Sequence, residues 1–496
     1  MQMQHIAGTH ARSCVRLQFD TPPIYIPPRY MTAEEFESII ASRLPYAPNF
    51  QQKLVIGALA RFCSPRVKSD AVFVLNGYAG TGKTSLCGAL VRSLPDVGMK
   101  AVLLAPTGRA AKVFAAHSGH STFTIHRRIY RHSPMGAPGD MSGAEMAENK
   151  SADTLFIVDE ASMISGEDTY SGNLLADLIH YVFTGQNCRL LLLGDTAQLP
   201  PVGCPFSAAM DTETLRSFGL RVSRATLTQV ARQGTHSGIL YNATLLRRNM
   251  RLDPLPVPEL RLDFPDVNAL PPDDVPEVLY SSYNRTGIAD TIVITRSNLR
   301  AAAFNREIRS SVLYYEHEIE ENELLIVAKN NYHWTRSLKG ADFIANGDIL
   351  RVTRVFGTET RYGMRFADVE VTFADSDTPV TAKIMLDVLA SDDAAITREQ
   401  MHRLYQGIMS DPERFSPMTP MQERQRALLS DPYWNALQVK YAYCVTCHKA
   451  QGGQWSNVII DMAGIPPDAM GEDFYRWLYT AVTRASKMLY FIGSPE

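Results

Sequence analysis

Residues 77–84 read Gly-Tyr-Ala-Gly-Thr-Gly-Lys-Thr, the composition and spacing of a loop that wraps a phosphate. Gly77, Gly80 and Gly82 permit the tight path, and the N–H groups of Gly80, Thr81, Gly82 and Ser85 turn toward an anion at a helix start. Lys83 reaches the β- and γ-phosphates and Thr84 holds Mg²⁺ in such a loop. The apolar run Ala71–Asn76 before it reads as a buried strand, and Ser85–Val91 after it as a helix start, which is the context the motif needs. A chain of this length contains roughly 0.02 such matches by accident, so a nucleoside triphosphate site is expected.

Hydrolysis also needs a metal ligand and an oriented water. Leu155-Phe156-Ile157-Val158-Asp159-Glu160 is an apolar strand that ends in two acids. Asp159 suits Mg²⁺, and Glu160 suits orienting and deprotonating the attacking water. The run Arg189–Leu193 is a second buried strand, and it delivers Gln198 to the carboxyl edge of a sheet, where nucleotides bind in such folds. A neutral amide there senses a γ-phosphate. Cys444-Val445-Thr446-Cys447-His448 has the spacing of a haem, zinc or thiol motif. Its place in an apolar run, Tyr441 to Val445, argues for a buried strand instead.

The elements that must position these groups alternate. Between 71 and 230 short apolar strands (71–76, 101–105, 154–158, 189–193) are separated by helical stretches, the signature of a parallel α/β sheet. Residues 127–152, with Pro134, Gly136, Pro138, Gly139 and Gly143, interrupt it and read as an inserted loop or hairpin. Residues 253–276 are rich in proline and acid and read as a linker. A second α/β pattern starts at 291–294 and resumes at 438–446, 456–461 and 488–492. Within it, 348–388 alternates as short strands, the pattern of a small β-barrel, and 396–432 reads as charged helices. Residues 1–30, with Pro22, Pro23, Pro27 and Pro28, read as an extended, disordered arm.

The chain has 496 residues, 45% hydrophobic and 20% charged, which fits several folded domains. A net charge of −3 gives no overall nucleic-acid signal, so any basic track is local. Lys100 to Arg131, carrying Arg109, Lys112, Arg127 and Arg128 with little acid, is such a track. Seven cysteines, an odd number, do not form a disulfide framework. No apolar run approaches a membrane span, and the first residues lack a signal peptide, so a cytoplasmic protein with no membrane partner is expected.

Taken in order, Asn76–Ser85, Leu104–Lys112, Phe123–Arg127, Asp159–Met163, Gly194–Gly203 and Leu227–Gln233 resemble the motifs of superfamily 1 helicases, in the RecD-like branch, superfamily 1B. Asn346-Gly347-Asp348, Ala442–Gly452 and Leu478–Ala485 extend the resemblance over roughly residues 45–496. It implies an α/β fold of two RecA-like parallel-sheet domains, with a small β-hairpin or loop insertion in the first and an SH3-like β-barrel insertion in the second. The corresponding segments are 31–126 and 153–235 for the first domain, 127–152 for its insertion, 236–340 and 433–496 for the second domain, and 341–432 for the barrel with its charged helices.

The resemblance further implies an ATP- and Mg²⁺-dependent DNA helicase or translocase, working 5′→3′ on single-stranded DNA and at single-strand/duplex junctions. It implies a monomer, with repair or replication proteins as partners. Arg232 and Arg484 correspond to arginines that reach the γ-phosphate from opposite sides, a task that suits a planar, permanently charged fork. Gln52, or its neighbour Gln51, corresponds to the residue that reads the adenine edge. Gln451 and Gly452 approach the nucleotide across the cleft. Pro106, Thr107, His126, Thr446, His448 and Lys449 take DNA-contacting positions, and Phe206, Tyr332 and Trp334 are candidates for base stacking. The insertion sits where relatives carry a strand-splitting pin, yet it lacks hairpin alternation. A protein-stripping translocase and a partner-dependent ATP-binding subunit are the competing readings.

Overall fold

The computed structural model describes residues 31–64, 70–131, 145–166, 173–230, 237–335, 344–373, 376–393 and 395–493. The expected arm at 1–30 and the centre of the insertion, 132–144, lie outside them.

The first sheet is wholly parallel, in the order Thr122–Thr124, Lys100–Ala105, Thr154–Val158, Arg189–Gly194, Ala71–Gly77, Arg221–Leu227. Its central strands are apolar on both faces because helices cover both faces. On one side Phe73, Leu75 and Leu155 pack against Phe36, Ile40, Ile56 and Leu59. On the other, Val72, Phe156 and Leu192 meet Leu175, Leu178 and Val182. Helices Ala33–Ser42 and Phe50–Phe62 each begin on a capping box, Thr32 with Glu35 and Asn49 with Gln52. The four central strands lie where the apolar runs predict them. The two edge strands were not anticipated: one is three residues long, and Arg-Val-Ser-Arg-Ala-Thr-Leu is largely solvent-facing and carries no buried run.

The second sheet is also parallel: Cys444–Thr446, Thr291–Thr295, Trp455–Asp461, Ala485–Ile492, Val267–Leu270. Its last strand corrects the expected linker at 253–276. Val267 and Leu270 are buried, and the strand is held by Leu489–Ile492, so proline-rich flanks conceal a sheet edge. A third sheet is antiparallel: Ser376–Met385, Met364–Phe373, Ile349–Arg361, Leu324–Val327, Val439–Tyr441. It recruits strands from both sides of the expected insertion 341–432. The run 441–445 is therefore not one strand. It splits at Ala442–Tyr443, where the chain leaves the antiparallel sheet (Leu325 opposite Tyr441) and joins the parallel one (Val293 opposite Cys444). Helices Arg398–Met409 and Met421–Leu428 pack Leu404, Ile408 and Leu428 against Phe366 and Met385.

A buried ion pair pins that crossing. Glu323 is fully buried; Arg309 Nε lies 3.1 Å from both of its carboxylate oxygens and Nη2 2.9 Å from Oε2, while the Tyr443 hydroxyl donates at 2.7 Å. Removing one partner leaves an uncompensated charge, so Glu323→Ala is expected to cost about 3–5 kcal/mol. The urea midpoint of the Glu323→Ala variant checks this; an unchanged midpoint overturns it.

Candidate active site

The strand Ala71–Gly77 ends directly at the phosphate loop, and the helix Lys83–Ser93 starts on Gly82 at φ 84°. That left-handed cap, which a side chain rarely adopts, turns the loop sharply into the helix. Lys83 Nζ donates to the carbonyls of Gly77 and, at 3.2 Å, Tyr78. Thr81 is buried and donates to Tyr78 O at 2.7 Å. The Gln52 amide donates to Thr81 O at 3.0 Å, while its oxygen accepts from Asn49 N. Gln52 is thus buried and braces the loop from behind. Gln51 accepts from Thr228 N and Gln229 N at 2.9 Å. Tyr46 and Ala47 line that side of the cleft.

Asp159 and Glu160 follow the strand Thr154–Val158, and Glu160 takes a left-handed φ of 52°. A β-carbon-bearing residue held there costs about 1–3 kcal/mol and is found mostly at functional sites. Burial first, and Glu160 second, push the Asp159 carboxyl up to about 6, against the pull of Lys83. Among the described residues there is no cluster of three or more His, Cys, Asp or Glu able to hold a metal. Thr84 and Asp159 both line the cleft, and a hydroxyl and a carboxylate oxygen suit Mg²⁺, which takes one or two protein oxygens together with phosphates.

The cleft, about 840 Å³, is lined by Gly80, Thr81, Gly82, Lys83, Thr84, Ser85, Asp159, Glu160 and Gln198 from the first half and by Gly452, Thr483 and Arg484 from the second. Among the described residues Gln198 Oε1 is buried with no hydrogen-bond partner, an acceptor beside the cleft. Arg484 is 5% exposed; Nε donates to Thr480 O at 3.0 Å and Nη1 to Gly453 O at 3.1 Å. Gln451 does not line the cleft. Its amide donates to Leu199 O at 2.8 Å, so its place is a strut between the halves. Arg232 lies outside the described residues.

Sequence reasoning missed the other struts. Tyr479 donates to Asp195 at 2.7 Å and accepts from the loop's Ala79 N at 3.1 Å. Thr480 Oγ1 accepts from Leu199 N at 2.9 Å, and Arg476 donates to Thr196 O at 2.6 Å. All three stand on the helix Glu472–Val482. Its membership in the final motif was the available signal, but only packing shows that it grips the segment carrying Gln198.

The DNA candidates sit at the carboxyl ends of strands: Pro106 and Thr107 after Lys100–Ala105, His126 after Thr122–Thr124, and Thr446, His448 and Lys449 at the end of Cys444–Thr446. His448 is exposed, which removes a core role. The expected basic track is corrected. Arg109 stacks on Trp455, Lys112 lies 3.9 Å from Asp348, and Arg127 packs over Phe123, so these cations are engaged. Phe206 is 55% exposed and free to stack, whereas Trp334 donates from a packed position to Asn435 O. Cys444 and Cys447 are buried, with thiols pushed up by burial, which rules them out as reactive thiolates.

Two parallel α/β sheets thus face one another across the loop at residues 77–84 and leave a two-sided cleft. Residues 59–253 match the AAA domain model, and residues 441–492 match the UvrD-like helicase C-terminal domain model. The chain is 33% identical over 180 residues to the ATP-dependent RecD2 DNA helicase of Deinococcus radiodurans, covering 34% of this chain and 21% of that one. An uncharacterized protein of Methanocaldococcus jannaschii is 22% identical over 86% of this chain and 37% of its own length. An uncharacterized protein of Acanthamoeba polyphaga mimivirus is 20% identical, covering 90% of this chain and 99% of its own. The chain thus spans about a fifth and about a third of the first two relatives. A solved structure of the Pif1 helicase from Bacteroides, with ADP-AlF3 and single-stranded DNA, is 16% identical, with a TM-score of 0.43, over 91% of this chain and 94% of that one. The two matched domain models thus follow one another along the chain in the order AAA domain, then UvrD-like helicase C-terminal domain.

Proposed function

We propose that this protein hydrolyses ATP to move along single-stranded DNA and separate strands, in the 5′→3′ direction expected of its branch. The observation that carries this reading is the cleft in which Lys83, Thr84, Asp159, Glu160 and Gln198 face Gly452 and Arg484. Lys83 and Arg484 supply positive charge to the transferring phosphoryl group, with Arg232 as the second arginine. Glu160 orients the attacking water and accepts its proton. Mg²⁺, held by Thr84 and Asp159, supplies charge neutralisation when bound. Gln198 senses the γ-phosphate, and the struts from Gln451, Arg476 and Thr480 carry its position to the second sheet. Closing and reopening of the cleft then alternates the grip of Pro106, Thr107 and His126 with that of Thr446, His448 and Lys449.

In this reading the five-stranded antiparallel sheet is the SH3-like insertion of the second domain, the protein acts as a cytoplasmic monomer, and its partners are single-strand/duplex junctions and repair or replication proteins. Unwinding of two partial duplexes, one with a 5′ and one with a 3′ single-stranded tail, tests the reading together with ATPase activity with and without single strand. Unwinding from the 5′ tail alone is expected. Stimulated ATPase without unwinding moves the protein to a translocase that strips proteins from DNA, and an unstimulated ATPase ends both readings.

Tyr130–Arg131 pair antiparallel with Glu145–Met146 at the base of the insertion, which supports a pin. Replacing 132–144 by a short Gly-Ser turn is expected to spare DNA-stimulated ATPase and to lower the unwinding rate about tenfold, as loss of a group used only in strand separation does. Equal loss of both activities assigns the insertion to stability.

A further inference from the structure

The helix Gly108–Ser118 begins at one candidate DNA contact and ends its first turn on the opposite half of the molecule. Thr107 caps it, accepting from Ala110 N at 3.2 Å. Ala110 lies so close to Gly452 that a Cβ added there would stand 2.9 Å from the Ala110 Cβ and 3.6 Å from Thr107 Oγ1. A Cβ on Gly453 would stand 2.5 Å from Arg109 Nε. The adjacent glycines 452 and 453 are therefore needed for this seat. The Arg109 guanidinium lies flat against Trp455, 3.8 Å from the ring centroid, and Trp455 is 4% exposed.

The two residues under Arg109 also help to hold Arg484. Gly453 O accepts from Arg484 Nη1 at 3.1 Å, and Trp455 N donates to Arg484 O at 2.9 Å. Among the described residues the buried Arg109 Nε has no hydrogen-bond partner. Burial and the nearby Arg484 push its guanidinium down to about 10. An apolar side chain of similar length would fill the same space over Trp455 without burying a charge, so the cation costs desolvation that packing alone does not require. Asp290 and Asp348 offset only part of this, so the guanidinium stays below its ordinary range.

We propose that Arg109 is a positioning residue for Arg484: seated on Gly453 and Trp455, it passes the position of the Thr107-capped helix, and so the occupation of its DNA-contacting end, to the arginine of the cleft. This rests on the DNA-stimulated ATPase proposed above. It accounts for why Arg109, although within a basic stretch, turns away from solvent.

The test uses the full chain, ATP and a single-stranded oligo-dT. Arg109→Met retains length and apolar contact with Trp455. Its affinity for oligo-dT, by fluorescence anisotropy, and its KM for ATP are expected to stay within about twofold, while kcat at saturating DNA falls about tenfold or more, since misplacing a catalytic group by ~1 Å costs up to about a hundredfold. The double variant Arg109→Met, Arg484→Ala is expected to be no slower than Arg484→Ala alone, because the two act through one group. Weakened oligo-dT binding with an unchanged kcat makes Arg109 an ordinary phosphate contact and overturns the proposal, as do additive losses in the double variant. A wild-type protein that oligo-dT does not stimulate overturns the function reading, and this inference with it; a stimulated wild type with an equally stimulated Arg109→Met overturns this inference alone.

Discussion

Arg484→Ala is expected to bind ATP and hydrolyse it about 10³–10⁵-fold more slowly, the range for an arginine that meets the γ-phosphate in the transition state. The side chain lines the cleft, its backbone is fixed by Trp455, and its fork is held by Thr480 O, Gly453 O and Thr483 Oγ1. Those bonds aim the guanidinium and also mean that truncation removes the donor to Gly453 O, at about 1–3 kcal/mol, whereas Thr480 O keeps the Thr483 hydroxyl. Arg484→Lys separates the two effects. It keeps a charge and one donor but not the planar fork, so it is expected to recover thermal stability more than turnover. Single-turnover ATPase, with a fluorescent nucleotide to report binding, checks this. Loss of nucleotide binding at unchanged chemistry would make Arg484 structural.

Lys83→Ala is expected to lower ATP turnover by about 10²–10³-fold or more, as removing a charged donor from a developing oxyanion does. Lys83 Nζ rests on the carbonyls of Gly77 and Tyr78 at the mouth of the loop, half-buried, and among the described residues it forms no ion pair with a carboxylate. Its removal therefore leaves the fold intact. ATPase rate and melting temperature, measured together, are the check. Appreciable residual turnover in a folded variant removes the assignment of residues 77–84 as the hydrolytic site.

The candidate site was unevenly legible. The phosphate loop, the acids after Val158 and the segment after Gly194 stand out because each joins a buried strand to a polar end within about ten residues. The second place of Gln52 was not legible, because a capping box and a base contact ask for the same residue at the same helix start; its amide bonds Asn49 N and Thr81 O. Cys444 and Cys447 match a haem or metal spacing, but spacing records no environment, and both thiols are buried. The strand Val267–Leu270 escaped because prolines on either side outweigh four residues of pattern, and its pairing with Leu489–Ile492 is more than 200 positions distant.

The sequence by itself determined the local chemistry: where phosphate sits, which strand ends carry acids, and that two parallel sheets follow one another along the chain. These follow from short-range rules of burial, backbone freedom and helix-end polarity, which act within a few residues. Only the tertiary structure decided how the halves meet. Tyr479 reaches Asp195 from 284 positions away, Thr480 reaches Leu199 from 281, and Arg109 settles on Trp455 through two glycines that permit the approach. Such contacts are selected by the packing of whole surfaces, which no local window contains.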